Sequence, residues 1–183
     1  MDIKVLTPTL SVAGQIAPAD LADIARAGFR ALICNRTDGE APDQPGFSEV
    51  EQAARSAGLE VRYLPAESGK VTDEQGAAFG KLMDELPKPV LAYCRSGMRS
   101  ATMWALSQSG KIPLPEIIEA GAKAGYDLRA LVRRIMNGGK TPVEVADASH
   151  EIVIVGGGAA GIAVASSLLA RNPQLDIAIA EKG

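Results

Sequence analysis

Short apolar runs recur through the first 140 residues, each set off by turn formers and followed by a stretch with apolar positions at helical spacing. Ala31–Cys34 (ALIC), residues 61–64 (VRYL) and Val90–Tyr93 (VLAY) read as strands, with Leu10–Gly14 as a further candidate. Between them the pattern predicts helices. Pro18 opens one that runs through Ala27 and ends at Gly28, and Phe47–Ala57 forms another, capped by Gly58. Thr72 with Gln75 three residues on makes a capping box for a helix to Leu86, which Pro87 and Pro89 stop. Helical stretches follow at Arg99–Ser109, Pro115–Ala124 and Leu128–Asn137. Strands alternating with helices over such lengths predict a parallel sheet covered on both faces.

A second unit starts after a break. Residues 1–139 form the first domain, 140–149 read as a polar linker, and 150–183 carry their own strand, glycine turn, helix and second strand at Ile177–Ala180. Ile152–Ala170 holds no charged residue, a length that could span a bilayer. The run opens on β-branched IVIV and breaks at GGGAAG before turning helical, so it reads as strand, turn and helix, with no transmembrane segment.

Composition narrows the partners. With 19 basic against 22 acidic side chains the net charge is −3, so no broad basic surface awaits nucleic acid or anionic lipid. The single histidine, His150, makes a His-based metal site or a Ser-His-Asp arrangement improbable and reads as the start of the second unit. Two cysteines sixty residues apart, with no charged-then-apolar leader, point to a reducing cytosol.

The chemistry concentrates in CRSGMRS, Cys94–Ser100, between a strand end and a helix start. That position gathers backbone N–H groups and the positive end of a helix dipole around the Cys94 sulfur. Arg95 and Arg99 add charge that favours thiolate over thiol. Gly97 supplies the backbone freedom a tight ring of inward amides needs, Ser96 and Met98 complete the anion-binding loop, and Ser100 offers a hydroxyl to the sulfur or a cap to the helix. Arg36 follows a strand end and either lends charge to the pocket or pairs with Asp38 or Glu40. Cys34 sits in an apolar strand and reads as core, as do Met103 and Trp104 in the helix beyond the loop.

The run from QIAPADLADIARAGFRALICNRTDGE through GLEVRYLP to PVLAYCRSGMRS resembles the bacterial phosphatase-like, or beta-lactamase-hydrolase-like, sulfurtransferase domains. The resemblance implies a protein tyrosine phosphatase-like α/β fold: a four-stranded parallel sheet flanked by helices, with Cys94 in the anion-binding loop. Tyrosine phosphatases carry HC-x5-R, whereas here Tyr93 takes the histidine place and only four residues separate Cys94 from Arg99. The shorter ring is similar to the six-residue loops of single-domain rhodaneses. The sequence reading therefore favours a sulfurtransferase: Cys94 takes sulfane sulfur from a persulfide, polysulfide or thiosulfate, holds it with Arg99 and the loop, and passes it to a thiol acceptor, with no cofactor required. The alternative is a phosphatase with Cys94 as nucleophile and Glu67, Asp73 or Glu74 as candidate acids. A second alternative is a non-catalytic anion-binding module.

In the second unit, Gly156, Gly158 and Gly161 fit G-x-G-x-x-G between a strand and a helix, with Glu181 twenty residues on to accept from ribose hydroxyls. GGGAAG resembles the FAD-binding start of flavoproteins such as sulfide:quinone oxidoreductases. That resemblance implies a truncated Rossmann βαβ unit, with FAD expected only in a complete domain, where flavin-dependent sulfide oxidation would feed the Cys94 site.

Overall fold

The computed structural model describes residues 2–142 and 151–180. The chain divides into two compact units, Met1–Pro142 and Val143–Gly183.

In the first unit the strands are β1 (Ile3–Thr7), β2 (Leu10–Ala13), β3 (Ala31–Arg36), β4 (Glu60–Ala66) and β5 (Val90–Tyr93). The helices are α1 (Leu21–Arg26), α2 (Phe47–Ser56), α3 (Asp73–Glu85), α4 (Met98–Ser107), α5 (Leu114–Lys123) and α6 (Val132–Met136). Two predicted helices are shorter than their patterns suggested. A 3-10 turn at Pro18–Asp20 precedes α1, and another at Arg129–Leu131 precedes α6.

The sheet runs β1-β2-β5-β3-β4. Strands β2, β5, β3 and β4 are parallel, as the alternation of strands and helices requires. The expected four-stranded parallel sheet is nevertheless a five-stranded mixed one, because β1 folds back antiparallel on β2, with Ile3 opposite Ala13 and Thr7 opposite Leu10. Its register shifts between Val5 and Thr7, leaving Val5 65% exposed while Leu6 turns inward. An edge strand with one buried residue gives little hydrophobic signal.

Period-two alternation divides the core. Leu32, Cys34, Leu91 and Tyr93 join Leu21, Ile24, Val50 and Ala54 on the α1/α2 side. Ala31, Ile33, Val90 and Ala92 join Phe79, Met103, Trp104 and Ile117 on the other. All of these are buried, so the central strands are apolar on both faces and their C-terminal ends stay fixed in register. The predicted capping box is present: the Gln75 amide N–H donates to Thr72 Oγ1 at 3.2 Å, and Thr72 N–H donates to Gln75 Oε1 at 2.9 Å. Gln75 Nε2 also donates to the Pro65 carbonyl at 2.8 Å, tying the start of α3 to the end of β4.

In the second unit, β6 (Ile152–Val155) and β7 (Ile177–Ala180) pair in parallel, joined through α7 (Ala159–Arg171). Gly156 takes φ +111°, Gly158 is the residue before the helix, and a Cβ on Gly161 would run into the Gly156 carbonyl. Glu181 and His150 lie outside the described residues, as does most of the expected linker. Among the described residues no helix is long and apolar enough to cross a membrane.

Candidate active site

The parallel strands deliver Gln15, Arg36, Ala66 and Cys94 to one edge of the sheet, the edge where open α/β sheets gather ligands. Cys94 follows β5 directly, and its N–H reaches the Ala13 carbonyl of β2 at 3.4 Å. The thiol is 1% exposed. The Gly97 N–H donates to Cys94 Sγ at 3.1 Å.

That aim is enforced from behind. The Ser96 carbonyl belongs to the same planar trans peptide as the Gly97 N–H, so the two point in opposite directions. The Tyr126 hydroxyl donates to the Ser96 carbonyl at 3.1 Å, holding it outward and turning the N–H to the sulfur. One residue back, the Gln15 N–H holds the Arg95 carbonyl at 3.3 Å in the same way. Arg95, Ser96 and Met98 are themselves exposed, so the loop works through its backbone more than through these side chains.

Gly97 takes φ +89° and precedes α4, and a Cβ there would run into the Tyr126 hydroxyl and sit 2.9 Å from Tyr126 Cζ. Gly97→Ala is expected to cost about 2–4 kcal/mol, from left-handed strain plus overpacking, and to slow Cys94 alkylation. Adding Tyr126→Phe removes the clashing oxygen and should recover part of the stability. Urea denaturation of the two variants checks this.

Arg99 lies on the first turn of α4 and is 5% exposed. Its Nη1 donates to Glu40 Oε1 and to the Ala66 carbonyl (2.7 Å), and its Nη2 to Glu40 Oε2 at 2.8 Å. Three of five guanidinium N–H groups are thereby committed. Glu40 and Ala66 leave the remaining edge, Nε–H with one Nη2–H, untaken. Arg36, also 5% exposed, donates from Nε to Glu40 Oε2 at 3.1 Å and from Nη1 to Gln15 Oε1 at 2.7 Å. Its partner is therefore Glu40, while Asp38 accepts from the Phe47 N–H instead.

Glu40 is the residue that the sequence offered only as a partner for Arg36. The bond from Arg99, helped by Arg36, holds its carboxyl down to about 2 even though burial opposes ionisation. The same bond raises Arg99, with a further contribution from Cys94. Burial pushes the Cys34 and Tyr93 side chains up, which fits Cys34 as a core thiol, 2% exposed.

Ser100 departs from expectation. The residue before α4 is Gly97, so Ser100 does not cap the helix, and its hydroxyl bonds Asn35 Oδ1 at 2.8 Å. Asn35, fully buried at the end of β3, has its Nδ2 on the Leu64 carbonyl at 2.8 Å and Met103 Sδ at 3.3 Å. Trp104 is core.

The candidate acids fare poorly. Asp73 accepts from Arg134 and, at 2.7 Å, from the Thr141 N–H, which is the main cause of its lowered pKa. Glu67 pairs with Lys70 at 2.7 Å in solvent, and Glu74 is exposed on the first turn of α3. None of the three bonds the Cys94 loop.

Residues 2–111 match the family described as beta-lactamase hydrolase-like protein, phosphatase-like domain. A beta-lactamase hydrolase-like protein of Agrobacterium fabrum is 35% identical over 126 residues, 68% of this chain and 29% of its own length. One from Xylella fastidiosa is 33% identical over 130 residues, 70% and 30% respectively. The chain thus spans under a third of the curated relatives it matches. Among solved structures, a candidate phosphatase of Neisseria meningitidis superposes with TM-score 0.68 at 31% identity, covering 75% of this chain and 99% of that one. PTPMT1, solved in complex with PI(5)P, superposes with TM-score 0.60 at 15% identity, covering 75% and 94%, and so shares the fold. The first unit has the protein tyrosine phosphatase-like α/β fold expected from the sequence.

Proposed function

The chain belongs to the phosphatase-like domain family of beta-lactamase hydrolase-like proteins, and from that membership we propose that Cys94 is the nucleophile of a covalent phosphatase. The observation that carries this reading is the pairing of the Gly97 N–H at Cys94 Sγ, 3.1 Å, with an Arg99 whose Nε–Nη2 edge is left over by Glu40. A phosphoryl group on sulfur would set two oxygens against that fork, the planar match that makes arginine suited to phosphate.

The Cys94 thiolate attacks phosphorus, the ester P–O bond breaks, and the ester oxygen leaves with the bonding pair. Water then attacks phosphorus, the P–S bond breaks, and inorganic phosphate leaves the regenerated thiolate. Each step is electrostatically assisted by the loop amides and Arg99. Among the described residues, Asp73 is held by Arg134 and Thr141, Glu67 is paired with Lys70 and Glu74 is exposed with no hydrogen bond to the Cys94 loop, so none of the three candidate acids is committed to the leaving oxygen. Aryl phosphates, whose phenolates leave without a strong acid, are therefore the favoured substrates over alkyl phosphates.

A second reading keeps the same nucleophile. The loop holds four residues between Cys94 and Arg99, a smaller ring that fits one extra sulfur atom on Cys94 and favours sulfane sulfur transfer to a thiol. One preparation decides between them, assayed for p-nitrophenyl phosphate hydrolysis and for thiocyanate formation from thiosulfate and cyanide. Hydrolysis with no sulfur transfer supports the phosphatase; sulfur transfer with no hydrolysis overturns it in favour of the second.

A further inference from the structure

Residues 37–46 join β3 to α2 without helix or strand, yet this loop carries Glu40, the carboxylate that both buried arginines share. Such a segment has many conformations, and closing its ends is what fixes where its middle sits. Asp38 supplies the closure. Its Oδ1 accepts from the Phe47 N–H at 2.9 Å, nine residues on, satisfying an N–H that the first turn of α2 leaves open. Its own N–H donates to the Tyr63 hydroxyl on β4 at 3.1 Å. Tyr63 and Phe47 stack with ring centroids 4.4 Å apart and planes 19° from parallel, so the two anchors of Asp38 also hold one another. Inside the closed loop, Gln44 Nε2 donates to the Thr37 carbonyl at 2.9 Å and the Thr37 N–H to Glu40 Oε1 at 3.2 Å.

We propose that Asp38 is a positioning residue: it latches the 37–46 loop so that Glu40 meets Arg99 in one orientation, and thereby sets the untaken Nε–Nη2 edge of Arg99 beside Cys94. Neither of its hydrogen bonds touches Cys94 or Arg99, so its effect on the site travels through Glu40. The inference rests on the proposed function only in assigning Arg99 to the Cys94 site, and it is the same for phosphoryl and for sulfur transfer. Two consequences of losing this carboxylate have opposite signs. Burial chiefly, and the Asp38 charge in part, push Tyr93 up, so that charge is felt next to Cys94 and its removal alone would make the site more attractive to anions. Releasing the latch frees the Arg99 edge to turn and makes the site less so.

The test compares two alkylating agents at Cys94, anionic iodoacetate and neutral iodoacetamide, read by intact mass with buried Cys34 as internal control. Both react with the thiolate, so their rate ratio is free of the thiol pKa and reports how well a carboxylate is received beside the sulfur. The ratio needs no substrate: hydrolysis of p-nitrophenyl phosphate tests the proposed function, and its absence still leaves the ratio to judge Asp38. The wild type is expected to favour iodoacetate by about 10-fold or more over the ratio of a free cysteine. Asp38→Ala should lower the ratio about 3–10-fold, the size of one hydrogen bond. Asp38→Asn, which loses the charge but keeps an oxygen for the Phe47 N–H, should stay within about 2-fold of the wild type or exceed it. In Glu40→Gln the ratio should already be low, and adding Asp38→Ala should change it by less than about 2-fold. The inference is overturned by an Asp38→Ala ratio that rises or holds, by Asp38→Asn falling as far as Asp38→Ala, by a fall that persists undiminished on the Glu40→Gln background, or by a wild type that does not favour iodoacetate. Should Asp38→Ala fail to fold, Tyr63→Phe decides, since it removes the acceptor of the Asp38 N–H and keeps the stack on Phe47: its ratio should fall about 2-fold or more, and an unchanged ratio overturns the inference.

Discussion

Cys94→Ser is expected to lower turnover by about 10⁴-fold or more, and to leave no covalent adduct, while the protein melts within a few degrees of the wild type. The change replaces sulfur by oxygen at a side chain that is 1% exposed and held by one backbone N–H, so packing hardly alters. Reactivity alters greatly, because a serine hydroxyl ionises far less readily than a thiol and, among the described residues, no base is hydrogen-bonded at this position to take its proton. Cys34→Ala is the matching control. Its thiol is buried in β3, donates to the Arg36 carbonyl at 3.5 Å and is pushed up by burial, so its loss should cost about 1–2 kcal/mol of stability and less than about 3-fold in turnover. Intact mass after substrate exposure reads the adduct and melting curves read the fold. Turnover that persists in Cys94→Ser but falls in Cys34→Ala would mean that the nucleophile has been misassigned.

The framework of this site was legible because it follows from strong local signals. Four apolar runs, the Thr72/Gln75 box and the strand-CRSGMRS-helix sequence each depend on neighbours a few residues apart. They placed the parallel strands, α3 and the Cys94 loop close to where the structure has them. What escaped depends on long-range pairing. β1 was invisible because an edge strand with Val5 in water and only Leu6 buried lacks a clean alternation. Asn35 comes just after the apolar run Ala31–Cys34, and its partners Leu64 and Ser100 lie 29 and 65 residues away. Ser100 was expected to face the sulfur or cap α4, two local roles, and instead answers to a residue on another strand. Glu67, Asp73 and Glu74 lie in a loop suited to an acid, but Asp73 is held by Arg134 and Thr141. Local sequence pattern located the Cys94 loop and could not say which polar groups around it were already engaged.

Glu40 shows the same point in charge, and Glu40→Gln should carry the second large effect. One carboxylate satisfies both buried arginines: Oε1 and Oε2 receive Arg99, Oε2 also receives Arg36, and the Thr37 N–H donates to Oε1 at 3.2 Å. Glutamine keeps the shape but turns one of those acceptor oxygens into a donor, so at least one guanidinium N–H faces an amide NH2 and Arg99 loses its fixed fork. Turnover is expected to fall about 10²-fold through kcat, with a stability loss of about 2 kcal/mol, or roughly 4–8 °C in melting temperature. The pH dependence follows from the same pair. Glu40 is held at about 2 against an ordinary 4.5, so its folded pKa is depressed, its stabilisation is complete above about 4.5, and it is lost as pH falls toward 2. Asp127 is also held at about 2, by Arg129, so acid unfolding of the wild type alone would not isolate Glu40. The difference between wild-type and Glu40→Gln unfolding free energies does isolate it: that gap should be widest above pH 4.5 and close toward pH 2. A gap that stays constant with pH would show that the carboxylate's charge contributes nothing and that Arg99 is held by shape alone.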